Sequence, residues 1–374
     1  MEPDRTPTLH LEQLVVRDLR NVERAEIAFA PRLNVISGGN GHGKTSLLEA
    51  IYLAATSRSF RTPNLGELVR HGADAAVARG RFATRDGVAI ACEQSAVIEG
   101  RRSIVRVDGN RPLSLAEFAT RSPVLVFHPD ELALTRGPSA RRRTLLDRVA
   151  LFMDPASSDH RARYSRALRA RQELLRRGGL ESTELDAFER LCADEGARVT
   201  RARREAAEAI TAELAPAFAR IAEPGITLTA AFSPGGSEDL DEACAELSRL
   251  RRADARRKSA SFGPHRDDLS LWLDGHPARV VASQGQHRAL TLSLKAAEAA
   301  CVARARGVVP LLLLDDVSSE LDPARTESLF AFLGFSRGQI VLTTTRPELI
   351  VAPSIQGAER RDFVVRRGVV SPVG

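Results

Sequence analysis

The chain has 374 residues, 43% hydrophobic and 27% charged, with a formal net charge of +6; this is the profile of a globular protein of two or three domains and excludes a disordered or fibrous chain. No run approaches the ~20 apolar residues that span a bilayer, and the start MEPDRTPTLHLEQ lacks the basic and apolar segments of a secretory signal, so a cytoplasmic protein with no membrane partner is expected. Cys92, Cys192, Cys244 and Cys301 are scattered, with no CxxC pair and no histidine at metal-ligand spacing, which argues against disulfides or a zinc site and for core fillers.

The sequence pI near 9.6 favours a polyanionic partner. Of the 54 basic residues only Lys44, Lys258 and Lys295 are lysines. Where arginine is the default cation, a lysine marks a place where its chemistry matters.

In chain order, LHLEQLVV, VERAEIAF and LNVIS read as strands, and VAIACEQSAVI and SIVRV follow between the turn signals TRDG, EGRR and DGNR. From about residue 136 to 258 the pattern turns helical, through SARRRTLLDRVALFM, DHRARYSRALRARQELLRR and a long segment from STELDAFERL, with a longest helix of some 35 residues expected. Strands resume as LSLWL and ARVVA around DGHP; then come a helix, the strand VVPLLLL, another helix, the strand QIVLTTT and a closing FVVRRGVV hairpin. Sheet, helices, sheet is the order of one α/β head split by a helical insertion.

GGNGHGKT fits G-x-x-x-x-G-K-[ST] in full, with the strand LNVIS before it and the helix SLLEAIYLA after it. Gly38, Gly39, Asn40, Gly41, His42 and Gly43 would curl their backbone N–H groups around phosphate oxygens, Lys44 would reach the β and γ phosphates, and the Thr45 hydroxyl would ligate Mg²⁺. In LLLLDDVSSELDPAR four leucines make a strand buried on both faces, and Asp315 at its end suits Mg²⁺, held directly or through water. Asp316 is placed to orient or deprotonate an attacking water, and Asp322 with Pro323 starts the next helix.

ASQGQHRALTLSLKAAE carries a helix from Arg288 onward, with Leu290, Leu294, Ala297 and Cys301 along one seam. Its entrance of Ser, Gln, Gly and Gln is small, amide-bearing and free of acids, which suits either an ordinary cap or an anion site.

LRNVERAEIAF, GGNGHGKTSLLEAIYL, SRSFRT, RGPSARRRTLLD, FGPHRDDL, ASQGQHRALTLSLKAAE, LLLLDDVSSELD and QIVLTTT, in this order, resemble the ABC-type ATPases of the SMC class and, within them, the RecF family of recombination mediators. The resemblance covers nearly the whole chain. It implies an α/β fold: an ABC/SMC-type P-loop ATPase head with an antiparallel β subdomain and a helical insertion. Residues 1–135 would form lobe I with the phosphate loop, 136–258 the arginine-rich short arm, and 259–374 lobe II with signature, metal strand and D-loop.

The resemblance further implies that Ser283, Gly285 and Gln286 are a Ser-x-Gly-Gln signature, binding the γ-phosphate of ATP held on another subunit. An ATP-dependent homodimer, closing on DNA at gaps and junctions, would work with RecR and RecO to place RecA, in gap repair, replication restart and the SOS response. Ser319, Glu320, Leu321 and Asp322 resemble the loop linking two such nucleotide sites. Arg58 or Arg61 would reach phosphate or DNA, or else be a surface arginine, and His128, Asp130 and Glu131 stand where a related loop senses nucleotide. Arg266, Asp267 and Asp268 suggest a salt-bridged turn.

Two departures bear on activity. Many ABC-type enzymes have Glu after the metal aspartate and His at the end of the next strand, where this chain has Asp316 and Thr343 to Thr345, a poorer water-activating pair. Slow, DNA-stimulated hydrolysis is expected, with ATP acting as a switch. Twelve arginines face four acids between residues 136 and 177; Arg163, Arg166, Arg169 and Arg176 share part of one face and are the candidate DNA contacts, directed at backbone and shape. The alternative from another class, a nucleotide-binding transporter subunit, shares the phosphate chemistry but not the arginine-rich insertion.

Overall fold

A computed structural model describes residues 6–85, 91–222, 225–316, 337–350, 352, 355 and 357–373. Contacts divide the chain into two compact units, Met1–Glu131 with Val302–Gly374, and Leu132–Cys301. The segment expected to form a helix between the leucine strand and Ile340–Thr344, and with it Ser319 to Pro323, lies outside the described residues.

In the first unit, the alternating patterns of Thr8–Leu19, Val22–Ala28, Ala75–Arg85, Ala91–Glu99 and Arg102–Val107 give an antiparallel sheet with one buried face, in the order second, first, third, fourth, fifth. A second sheet runs Val369–Pro372, Arg360–Arg366, Leu33–Ser37, Ile340–Thr344, Leu311–Leu314, Val124–Phe127, parallel throughout except at its Val369–Pro372 edge. Its three central strands are buried at every residue, as the apolar run LLLL and the largely apolar LNVIS lead one to expect, with the polar Asn34 and Ser37 bonded to the Ala30 and Phe363 carbonyls. The helix Lys44–Thr56 is buried on nearly all sides, and Leu47, Leu48 and Ile51 share one core with Val16, Phe82 and Ile98 of one sheet and Ile36, Leu313 and Val341 of the other.

The second unit is built on the helix Thr183–Ile221, whose 39 residues extend about 60 Å at ~1.5 Å each. Ser182 caps it by accepting the Leu185 N–H at 3.1 Å. It packs along Ser157–Arg176 and Ser139–Met153, and Arg171, fully buried between helices, is matched by Glu189 at 3.0 Å, Asp254 at 2.8 Å and the Leu247 carbonyl at 2.8 Å. Such a charge is tolerable because two buried carboxylates balance it and each guanidinium nitrogen has an acceptor.

Residues 259–301 belong to this helical unit, whereas the sequence pattern placed them with lobe II. The reason is packing: Leu269, Leu271, Leu290 and Leu294 share a core with Leu145, Leu146, Ile210 and Phe218. ARVVA is not a strand; pairing stops after His276–Pro277, and Ala278–Val281 is a helical turn with Ala278 fully buried. The strands Ala75–Arg85 and Leu228–Ser233 and the helix Leu115–Arg121 were not legible in the sequence.

Candidate nucleotide-binding site

The phosphate loop leaves the carboxyl end of Leu33–Ser37 and runs into Lys44–Thr56, as the strand–loop–helix pattern requires. Gly39, Asn40 and Gly41 form its exposed rim. Gly38 is obligatory twice over: φ is 155°, and a Cβ would stand 2.4 Å from the Val365 carbonyl oxygen. Lys44 Nζ donates to the carbonyls of Gly38 at 2.7 Å and Gly39 at 3.0 Å, bending back over the loop. Burial lowers the Lys44 ammonium's pKa, against an opposing pull from Asp316 and Asp315.

Ile340–Thr344 lies between the phosphate-loop strand and the leucine strand, and this order assembles the rest. Asp315 follows the last paired leucine, level with Thr343. The Thr45 hydroxyl donates to Asp315 Oδ1 at 2.9 Å and the Thr343 hydroxyl to the same oxygen at 2.8 Å, while the Asp316 N–H donates to Thr343 Oγ1 at 2.8 Å. Burial raises the Asp315 carboxyl above the usual range, more than these hydroxyls lower it. A hydroxyl beside a buried carboxylate is the hard-oxygen pair that suits Mg²⁺. No group of three or more His, Cys, Asp or Glu able to hold a metal is found among the described residues, so such an ion would draw its remaining ligands from phosphates and water.

Glu49, one turn beyond Thr45, was not anticipated. Fully buried, it accepts two bonds from Arg20 at 3.0 Å each and one from Ser59, and Arg61 lies 3.6 Å away. Arg61 is thereby tied to the phosphate-loop helix. Phe60 stacks on His128 at 5.6 Å, and His128 lies 3.6 Å from Glu131 and 4.0 Å from Asp130.

In the second unit the entrance to Gln284–Arg306 is a reciprocal cap: the Ser283 N–H donates to Gln286 Oε1 at 2.8 Å and the Gln286 N–H to Ser283 Oγ at 3.2 Å. Ser283, Gln284 and Gly285 are exposed. The cap uses Ser283 Oγ only as an acceptor, so its O–H proton is still available to an anion, as are first-turn N–H groups that no helix bonds internally. Behind this entrance Glu298 is fully buried against Arg148 at 2.6 Å and Lys295 at 2.5 Å; burial pushes its carboxyl up, but the two cations prevail and hold it at about 2.

The GPHRDDL turn is a salt-bridged staple. Asp267 is buried, accepting from Gly235 N–H at 2.8 Å and Arg203 at 3.1 Å, and Asp268 takes a bidentate pair from Arg142 at 2.7 and 2.9 Å. The Tyr164 hydroxyl is 2.7 Å from His265 Nδ1, and Arg266 is exposed. Arg163, Arg166, Arg169 and Arg176 are all exposed on Ser157–Arg176. Arg163 is engaged by Glu195 at 3.3 Å and Arg176 by Glu173 at 3.0 Å, whereas Arg166 and Arg169 have no ion pair among the described residues.

Fold and site together define an SMC-class ATPase head: the family described as the RecF/RecN/SMC N terminal domain matches residues 10–356. The SMC head with extended coiled coil from Pyrococcus furiosus shares the fold at TM-score 0.55 and 15% identity, over 98% of this chain and 96% of that one. More specific are the DNA replication and repair proteins RecF of Anaeromyxobacter sp. strain Fw109-5, 40% identical over 98% of this chain and 100% of the relative, and of Geobacter sulfurreducens, 35% identical over the same shares. A solved structure of the recombination mediator protein RecF-ATPrS in the RecFOR pathway superposes at TM-score 0.85 with 26% identity, covering 98% of this chain and 99% of that one. The chain belongs to the RecF family, DNA replication and repair proteins of SMC-like ATPase type. This leaves the transporter alternative without support. No helix among the described residues is long and apolar enough to cross a membrane.

Proposed function

We propose that this protein is an ATP-dependent DNA-binding switch of recombinational repair and replication restart, acting in the cytoplasm. ATP with Mg²⁺ binds at Gly38 to Thr45, with Lys44 on the phosphates and Thr45 and Asp315 toward the metal. The observation that carries the reading is the helix entrance at Ser283, Gly285 and Gln286, with Ser283 and Gly285 exposed and donors still to give while Leu290 and Leu294 behind it are fully buried. A rigid helix offering anion donors outward serves a phosphate brought by a second copy. ATP therefore closes a homodimer on DNA, and ADP reopens it.

Slow, DNA-stimulated hydrolysis suits the chemistry. The Thr343 hydroxyl is spent on Asp315 and on the Asp316 N–H, so it is not available to help Asp316 orient a water. DNA is held through phosphates by the arginines of Ser157–Arg176, at junctions and gaps. RecR and RecO act with it to place RecA and to support the SOS response; the place of a 26%-identical RecF structure in the RecFOR pathway supports this assignment.

The test is retention of the protein on gapped DNA, without membranes or detergent, over a salt series with ATP or ADP. Retention that is stronger with ATP, falls steeply with salt and disappears in Lys44→Ala supports the switch. Equal retention in ATP, ADP and no nucleotide overturns it.

A further inference from the structure

A phosphate loop has an architectural problem: N–H groups reserved for phosphate oxygens are unavailable to hold the loop's own shape. Here the scaffold grips carbonyls instead. Asn21, in the turn between Thr8–Leu19 and Val22–Ala28, donates from Nδ2 to the Gly41 carbonyl at 2.9 Å, and its Oδ1 accepts the Ser46 hydroxyl at 2.9 Å, so one amide bridges the loop's rim and its helix. From the far end of the chain, the Gly368 N–H, in the turn between Arg360–Arg366 and Val369–Pro372, donates to the His42 carbonyl at 2.9 Å. The two turns are seated on each other: Gly368 has φ 82°, and a Cβ there would lie 2.1 Å from the Asn21 carbonyl oxygen.

A trans peptide points its C=O and N–H in opposite directions. Fixing the Gly41 and His42 carbonyls therefore fixes the heading of the His42 and Gly43 N–H groups, of which the His42 N–H makes one long bond, 3.4 Å to the Gly39 carbonyl, that a phosphate oxygen would replace. We propose that Asn21, supported by the Gly368 turn, is a positioning residue that presets the phosphate loop for a nucleoside diphosphate or triphosphate. The inference rests on the reading of Gly38 to Thr45 as the nucleotide site.

The experiment is calorimetric titration of ADP and ATP into the native chain, Asn21→Ala, Ser46→Ala, the double variant and Lys44→Ala, with DNA retention measured in the absence of nucleotide. Asn21→Ala is expected to weaken ADP and ATP alike, by about tenfold for two lost hydrogen bonds. Ser46→Ala should weaken both by about threefold, and the double variant should be no worse than Asn21→Ala because the two residues share one contact. Nucleotide-free DNA retention should be unchanged, which a general loss of structure would not allow. Where Asn21→Ala fails to fold, Ser46→Ala alone decides. Binding within twofold of native in Asn21→Ala, or in Ser46→Ala if that variant must decide, with Lys44→Ala defective, overturns the positioning role alone. Native binding in Lys44→Ala overturns the nucleotide site and the positioning role together.

Discussion

Thr343 gives its hydroxyl proton to Asp315 at 2.8 Å and takes the N–H of Asp316 at 2.8 Å, so one small side chain sets both aspartates of the site. Thr343→Val keeps the volume and removes both bonds. Leaving the Asp316 N–H without its acceptor costs about 1–3 kcal/mol. ATP turnover should fall by about tenfold or more while ATP affinity changes little, because the substitution misdirects the residue proposed to orient water. Denaturant unfolding and steady-state ATPase assays measure the two effects; unaltered turnover would remove Thr343 from the site's organisation.

Asp315 shows how binding and stability pull apart. Its folded-state pKa is raised by burial. The stability contributed by its protonated form is therefore full below the ordinary carboxylate pKa of about 3.9 and is lost as pH rises through the raised value. At neutral pH the ionised group is a cost to the ligand-free fold. Asp315→Asn, which can still accept from Thr45 and Thr343, should raise the ligand-free unfolding temperature by roughly 1–3 °C and abolish Mg²⁺-dependent ATP binding. A melting series across pH with and without Mg-ATP checks both, and a lowered ligand-free midpoint would contradict the assignment.

Glu298 carries the opposite sign. Its pKa is depressed to about 2, so its contribution is present above the ordinary glutamate pKa of about 4.3 and is lost as pH falls through about 2. Glu298→Gln removes the buried counter-charge shared by Lys295, which is buried, and Arg148, which is half-buried, and the loss should be about 3–5 kcal/mol. Urea unfolding at neutral pH is the measurement; a loss below 1 kcal/mol would mean that the triad is open to water.

Arg166 and Arg169 should matter more to DNA than Arg163 and Arg176, which already answer to Glu195 and Glu173. Neutralising the first pair should lower the slope of log affinity against log salt by about 1.8 in duplex DNA, at ~0.9 per lost phosphate contact. Neutralising the second pair should lower it less. Equal slopes in all variants would place the DNA elsewhere.

The parts legible in the sequence were those whose chemistry is contiguous. GGNGHGKT and LLLLDD each carry spacing and neighbours in a single stretch, and the structure brings Thr45 and Asp315 within 2.9 Å across 270 positions because the strands LNVIS and LLLL lie in one parallel sheet. The roles of Asn21, Glu49 and Gly368 were not legible, since each follows from contacts made only when separate turns meet. Asn21 and Gly368 stand at opposite ends of the chain and carry no periodicity. ARVVA misled because β-branched residues favour strands, and only the buried Ala278 after Pro277 makes it a helical turn. Ser283 and Gln286 proved to be a helix cap as well as candidate ligands, a double use that sequence alone presents as a choice.

Sedimentation of the native chain and of Ser283→Arg, each with ATP, with ADP and with ATP plus gapped DNA, tests most directly whether one copy's signature completes another's nucleotide site. The native chain should shift from monomer to dimer with ATP and return with ADP, while Ser283→Arg should bind ATP normally and stay monomeric throughout. A Ser283→Arg chain that dimerises with ATP as readily as the native one would contradict the account.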